Sequence, residues 1–219
     1  MISYPSLRIL FKLSSDRRGL ALIEFAFTLP ILLTMVLSGA EITNYIIVRM
    51  RVSQLALQIA DNAARMGNGT MLQLKTLNEA DINDLFAGAN LQSGILSLQT
   101  KGRVILSDLE PQTTSDSNST YKIKWQRCYG TQPYTSPYPG AGAQNLSGLG
   151  PAGNQTIAQQ GNATMFVELY YVYTPLVSAK LVPSTTITEI ASMSVRDRRD
   201  LTGGDNGVYP VSGASKASC

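Results

Sequence analysis

Residues Leu20 to Leu37 read LALIEFAFTLPILLTMVL, an apolar run broken by a single charge, Glu24. Roughly 18 to 20 apolar residues are enough to cross a hydrocarbon core as helix. Soluble core helices seldom run so long with one polar interruption, so the run is expected to insert into a membrane. It softens at Ser38-Gly39-Ala40-Glu41 and resumes from Ile42 to Val48.

Charge supports the same reading. The 219-residue chain carries a formal net charge of +3. Arg8, Lys12, Arg17 and Arg18 against Asp16 leave a surplus of three before Gly19, which accounts for all of it. A nucleic-acid binder spreads basic residues over a folded face. Here the surplus abuts an apolar run, as an orientation signal does. The positive-inside rule, with Arg17 and Arg18 at the boundary, places residues 1–19 in the cytoplasm and the bulk of the chain outside. A cleaved signal peptide is the competitor, with Ser38-Gly39-Ala40 imitating a small-x-small site. The run is longer than such a peptide needs, and Glu24 sits inside it.

A carboxylate within a bilayer is costly and marks a functional suspect. A cut after Gly19 would make Leu20 the N-terminus and Glu24 the fifth residue, about one helical turn away. Its carboxylate could then pair with the new ammonium of its own chain or a neighbour, in the turn where the helix dipole favours negative charge. Such a pair would fix the axial register of packed helices.

The stretch Arg17-Arg18-Gly19-Leu20-Ala21-Leu22-Ile23-Glu24-Phe25 resembles the processing site of type IV prepilins: a basic leader, Gly before the cut, and Glu at mature position five. The following aromatic residue resembles the Flp/Tad subclass, where Tyr is usual and Phe25 stands here. The longer pattern RRGLALIEFAFTLPILLTMVLSGAEI resembles the TadE-like family of pilus assembly proteins. Trp125-Gln126-Arg127-Cys128-Tyr129-Gly130 and Val195-Arg196-Asp197-Arg198-Arg199-Asp200 also resemble segments of that family. The resemblance implies a minor pseudopilin of the Tad secretion system, in the bacterial inner membrane. It implies cutting between Gly19 and Leu20 by a prepilin peptidase, docking through Glu24 and Phe25, and partners among other minor pseudopilins and platform proteins.

Three segments are expected: a basic leader at 1–19, a transmembrane and stalk helix at 20–66, and an extracytoplasmic α+β domain at 67–219. Val52, Ala56, Ile59, Ala63 and Met66 form an apolar stripe, and Gly67-Asn68-Gly69 is a stop signal. Pro30 is expected to interrupt or kink the helix. A short helix is read from Asn78 to about Ala89, capped by Asn78 or Thr76. Ile95 to Thr100 and Arg103 to Leu109 read as a hairpin about Lys101-Gly102. Tyr121, Ile123 and Trp125 alternate with polar neighbours as one half-buried strand face. Thr164 to Thr174 and Thr185 to Val195 are further strands. A small antiparallel meander against the long helix is the simplest pilin-like assembly.

Residues 129–162, rich in Gly, Pro, Ser, Asn and Gln, read as a mobile or Ω-like excursion. Its Gly148-Leu149-Gly150-Pro151-Ala152-Gly153 matches GxGxxG but lacks a preceding strand and a following helix, so no dinucleotide site is expected. Cys128 and Cys219 are the two cysteines. In an oxidising compartment they can pair and tether the chain's end to the Trp125 strand; two free thiols are the alternative. Five sequons, at Asn68, Asn118, Asn145, Asn154 and Asn162, read as chance. Arg196 to Asp200 reads as a solvated strand end with mutual ion pairs.

With no His, Ser-His-Asp, Cys-His and HExxH chemistry is excluded. Asp81 with Asp84, and Asp108 with Glu110, carry no catalytic signature. No enzyme activity, cofactor, metal, nucleic acid or small-molecule substrate is expected. The alternative function is an anchored or secreted binding module, adhesin-like, that escapes pilin processing.

Overall fold

The computed structural model describes residues 18–70, 73–112 and 119–219. Arg8, Lys12, Asp16, Arg17 and the sequon at Asn118 lie outside the described residues.

Helix α1 runs from Arg18 to Arg65, 48 residues. It passes through Pro30 without the interruption that proline there could have caused. The Thr34 hydroxyl donates to the carbonyls of Pro30 and Ile31 at 2.8 and 2.9 Å. Beyond Glu41 one face of α1 is buried: Tyr45, Val52, Leu55, Ala56, Ile59, Ala60, Ala63 and Ala64. The stripe read from sequence falls on this face, and its small residues bring the helix close to the sheet.

A two-residue strand β1 (Leu77–Asn78) leads into α2 (Glu79–Ser93). Asn78 and Asp81 form a reciprocal capping box, each side chain accepting from the other's backbone N–H, at 2.9 and 3.1 Å. That satisfies two orphan N–H groups of the first turn. The strand expected at Ile95–Thr100 is absent. In its place stand a 3-10 turn (Gly94–Leu96) and a single helical turn α3 (Leu98–Lys101). Leu96 and Leu98 are buried while Ile95 is exposed, so a spacing of two arose from tight turns rather than from a pleat.

Strands β2 (Gly102–Pro111), β3 (Tyr121–Tyr129), β4 (Thr164–Val172) and β5 (Thr186–Ser194) form an antiparallel sheet in the order β3-β2-β4-β5. It is not a simple meander. β3 and β4 flank β2 on opposite sides and run in the same direction, so residues 130–163 must carry the chain back across the sheet. This crossover is what the long Gly- and Pro-rich segment provides. It lies on the face opposite α1, where Leu149 and Ala158 pack with Leu109, Tyr121, Ile123 and Phe166. It also pairs with the outer edge of β3 through Tyr121–Leu146 and Ile123–Ala143 backbone bonds of 2.8 to 2.9 Å. A covered edge strand offers no template for further pairing. The GxGxxG stretch is part of a turn closed by Leu149–Thr156 backbone bonds.

The single buried face expected for Tyr121, Ile123 and Trp125 is also corrected. The β2–β3 register shifts between Ser107 and Leu109. This bulge puts Tyr121 and Ile123 in the crossover-side core and Trp125 in the core against α1. A strand β6 (Val208–Tyr209) pairs in parallel with β1.

Candidate assembly site: the bare helix and the carboxylates along it

The first 22 residues of the apolar stretch, Gly19 to Ala40, have no buried member. Leu22, Phe27, Ile31 and Met35 are each more than three-fifths exposed. Nothing in the described residues covers them, and α1 is long and apolar enough to cross a membrane. At its start, a Cβ added to Gly19 would meet nothing within 4 Å. Leu20 and Phe25 are 59% and 61% exposed. Glu24 is exposed too and makes no ion pair or hydrogen bond among the described residues. Gly19, Leu20, Glu24 and Phe25 thus fall on one free helix end. Arg18 begins that helix; Arg17 lies outside the described residues.

The first buried residue of α1 is Glu41, fully enclosed. Its carboxylate accepts from the Tyr173 hydroxyl at 2.6 Å, the Val177 N–H at 2.5 Å and the Ser178 N–H at 3.4 Å. Asn44 donates to the same hydroxyl at 2.7 Å, and the Tyr45 ring meets the Tyr173 ring edge-on at 5.2 Å. Two turns on, Arg49 pairs with Glu189 of β5 at 2.9 Å. In the sequence Glu41 reads only as part of the softening of the apolar run. Its signal was there: a second carboxylate about 30 Å along the helix from Leu20.

The other end of α1 is held by the segment expected to be a solvated run of mutual ion pairs. That expectation is corrected. Arg199 is buried and donates to the carbonyls of Ala63 and Met66, at 3.0 and 2.8 Å. A cation there complements the helix C-terminal dipole. Arg196 reaches Asp61 at 2.8 Å and Asp197 reaches Lys75 at 2.6 Å. Asp200 accepts from Tyr209 and from the N–H groups of Thr202 and Gly203, which hold its carboxyl down at about 2. Arg196, Asp197, Arg199 and Asp200 all find partners outside the run, and the set ties α1 to the strands.

The Trp125–Gly130 segment is equally structural. Arg127 and Glu79 form a buried two-bond ion pair, with Nε to Oε2 at 3.0 Å. The Arg127 guanidinium also lies 5.5 Å from the Trp125 ring. Gln126 joins Ser107 and the Pro139 carbonyl, linking β3 to β2 and to the crossover. Cys128 is bonded to Cys219, with α-carbons 4.8 Å apart. Tyr129 stacks on Phe86 at 5.5 Å. Gly130 has φ +95°, and any side chain there would overlap the Gly102 carbonyl.

Three further carboxylates, Asp108, Glu110 and Glu168, are buried in the sheet. Burial lifts Asp108 to about 8, and Glu110 adds to the rise, while Arg199, Lys124 and a hydrogen bond from Trp125 oppose it. Glu168 faces the crossover, where Ser136 donates at 2.8 Å and Tyr134 at 3.3 Å. Burial raises its pKa. Asp81 caps α2, and Glu110 meets Lys122 and Lys124 at 3.6 and 3.4 Å. Asp81, Glu110 and Glu168 thus have structural partners, while Asp108 Oδ1 and Glu110 Oε1 are buried without a hydrogen-bond partner among the described residues.

An apolar rod with one free carboxylate near its start, rigidly fixed to a sheet domain, can pack against like rods in a membrane or a fibre. Comparison with known families agrees on the rod. Residues 19–67 match the family model described as TadE-like protein. The matched segment coincides with α1 and its stop signal, Gly67. No curated protein and no solved structure matches the chain. The TadE-like helix fits a membrane-anchored protein.

Proposed function

We propose that this protein is a minor pseudopilin or assembly subunit of a Flp-type (Tad) pilus system. One observation carries the proposal: the TadE-like helix is bare from Gly19 to Ala40 and then becomes part of the domain core at Glu41. Rigid attachment lets the helix set the position of the domain in an assembly. The free apolar surface is what membrane residence and later packing among other helices both require.

In this reading residues 1–19 are a cytoplasmic leader removed by a prepilin peptidase, and 67–219 is an extracytoplasmic domain. The disulfide suits an oxidising compartment. Leu20 then carries the new ammonium. Glu24, unpaired among the described residues, pairs with that ammonium of its own or a neighbouring subunit, and Phe25 packs beside it. The protein acts as a structural partner of other minor pseudopilins and platform proteins rather than as a catalyst.

The test is assembly in cells. Glu24→Ala is expected to be membrane-inserted and cut normally but to abolish pilus formation, while Glu24→Asp retains part of it. Wild-type pilus levels in Glu24→Ala would contradict the docking role.

A further inference from the structure

The chain from Pro175 to Leu181 links β4 to β5 and includes a 3-10 turn, Ala179–Leu181. It exposes Leu176 by 68% and Val177 by 46%. Ala179 and Lys180 are exposed beside them. Single exposed apolar residues are ordinary. What singles these out is their level along α1.

Leu20 to Glu41 spans about 30 Å of helix, the thickness of a bilayer's hydrocarbon core. Glu41 therefore falls at the boundary opposite Leu20. Its carboxylate accepts from the N–H groups of Val177 and Ser178, which holds the loop beside the helix at that same level. The loop's polar needs are met there as well. Glu41 satisfies those two N–H groups, and the Lys180 N–H donates to the Ser178 hydroxyl at 3.3 Å. An apolar pair, a nearby lysine and internally bonded backbone N–H groups are the composition of an interfacial segment.

We propose that residues 175–181 rest in the headgroup region of the bilayer that holds α1, with Leu176 and Val177 against the outer acyl carbons and Lys180 among the phosphates. The loop forms a second, shallow contact beside the spanning helix. It sets the height and tilt of the sheet domain over the membrane, because Tyr173 and Glu41 join it to both strand and helix. The proposal rests on the reading of α1 as membrane-inserted.

The test is tryptophan quenching in the full-length protein, reconstituted in phosphatidylcholine vesicles that contain acyl-brominated lipid. Trp125, buried in the sheet core, supplies the unquenched baseline. Leu176→Trp and, separately, Val177→Trp are placed at exposed positions that keep the backbone N–H bonds to Glu41. Leu32→Trp reports on the span. Shallow-brominated lipid is expected to quench Leu176→Trp and Val177→Trp below the wild-type baseline, more strongly than deep-brominated lipid does. Leu32→Trp is expected to show the reverse preference. Quenching of Leu32→Trp with none at either loop position would overturn the proposal and leave the span intact. Quenching at no position would overturn both.

Discussion

Glu41 and Tyr173 are joined by a 2.6 Å hydrogen bond across 132 positions of sequence. One lies on α1 just past the bare apolar stretch, the other just beyond the end of β4. The bond marks where a helix that belongs to its surroundings becomes a helix that belongs to the domain. Removing the carboxylate leaves the buried Tyr173 phenol and two part-buried N–H groups without an acceptor. Glu41→Ala is expected to lower the chemical-denaturation midpoint in detergent, and more so than Glu41→Gln, which keeps an acceptor oxygen. Tyr173→Phe should fall between wild type and Glu41→Ala. Equal midpoints for all three variants would show that the latch does not hold the helix.

Arg127 and Glu79 tie β3 to the first turn of α2, both nearly inaccessible. Breaking a buried pair from one side leaves an uncompensated charge, at a cost of about 3–5 kcal/mol. Glu79→Leu and Arg127→Met are each expected to lose that much, whereas the double variant Glu79→Leu with Arg127→Met recovers most of it. Urea unfolding of the four proteins checks the cycle. Additive losses would mean that the two side chains act independently.

Stability should fall as pH rises from about 4 to about 8. Folded Asp108 keeps its proton up to about 8, while the unfolded chain releases it near 4. In that window the folded state binds more protons, so each rise in pH favours unfolding. Glu168, also raised by burial, adds in the same direction. Asp200, held at about 2, has the opposite sign: its contribution is present above pH 4 and is lost as pH falls toward 2. Asp108→Asn is expected to flatten the decline between pH 5 and 8, and Asp200→Asn to flatten the acid limb. Unfolding midpoints from about pH 2 to about pH 8 decide it; an unchanged slope in Asp108→Asn would show that Asp108 titrates normally.

The long helix was legible because two local signals agree on it: an unbroken apolar run and, after it, a stripe at helical spacing that ends in Gly67-Asn68-Gly69. The Asn78 cap was legible for the same reason. What escaped was set by distant contacts. Arg196, Asp197 and Arg199 look like one another's partners in sequence, yet they pair with Asp61, Lys75 and the carbonyls of Ala63 and Met66. Glu41 finds its acceptor role only once residues 173–178 are folded against it. Tyr121, Ile123 and Trp125 keep a period of two, but a bulge divides them between two faces, and nothing in the alternation marks it. At Leu96 and Leu98 the spacing misled outright, since tight turns bury alternate residues as a strand does. Cys128 and Cys219 left bonded and free states open, and the fold brings them into one bond.

The central claim, that the bare helix begins at a processed Leu20, is tested most directly by intact mass. The full-length protein, made with and without a prepilin peptidase, is extracted from membranes beside Gly19→Ala. The added methyl meets no atom of the fold within 4 Å, so loss of cutting in that variant reports on the peptidase and not on misfolding. The wild type is expected to lose residues 1–19 only with the peptidase present, and Gly19→Ala to stay full length. A wild-type protein that keeps its leader with the peptidase present, or one cut after Ala40 instead, would contradict it.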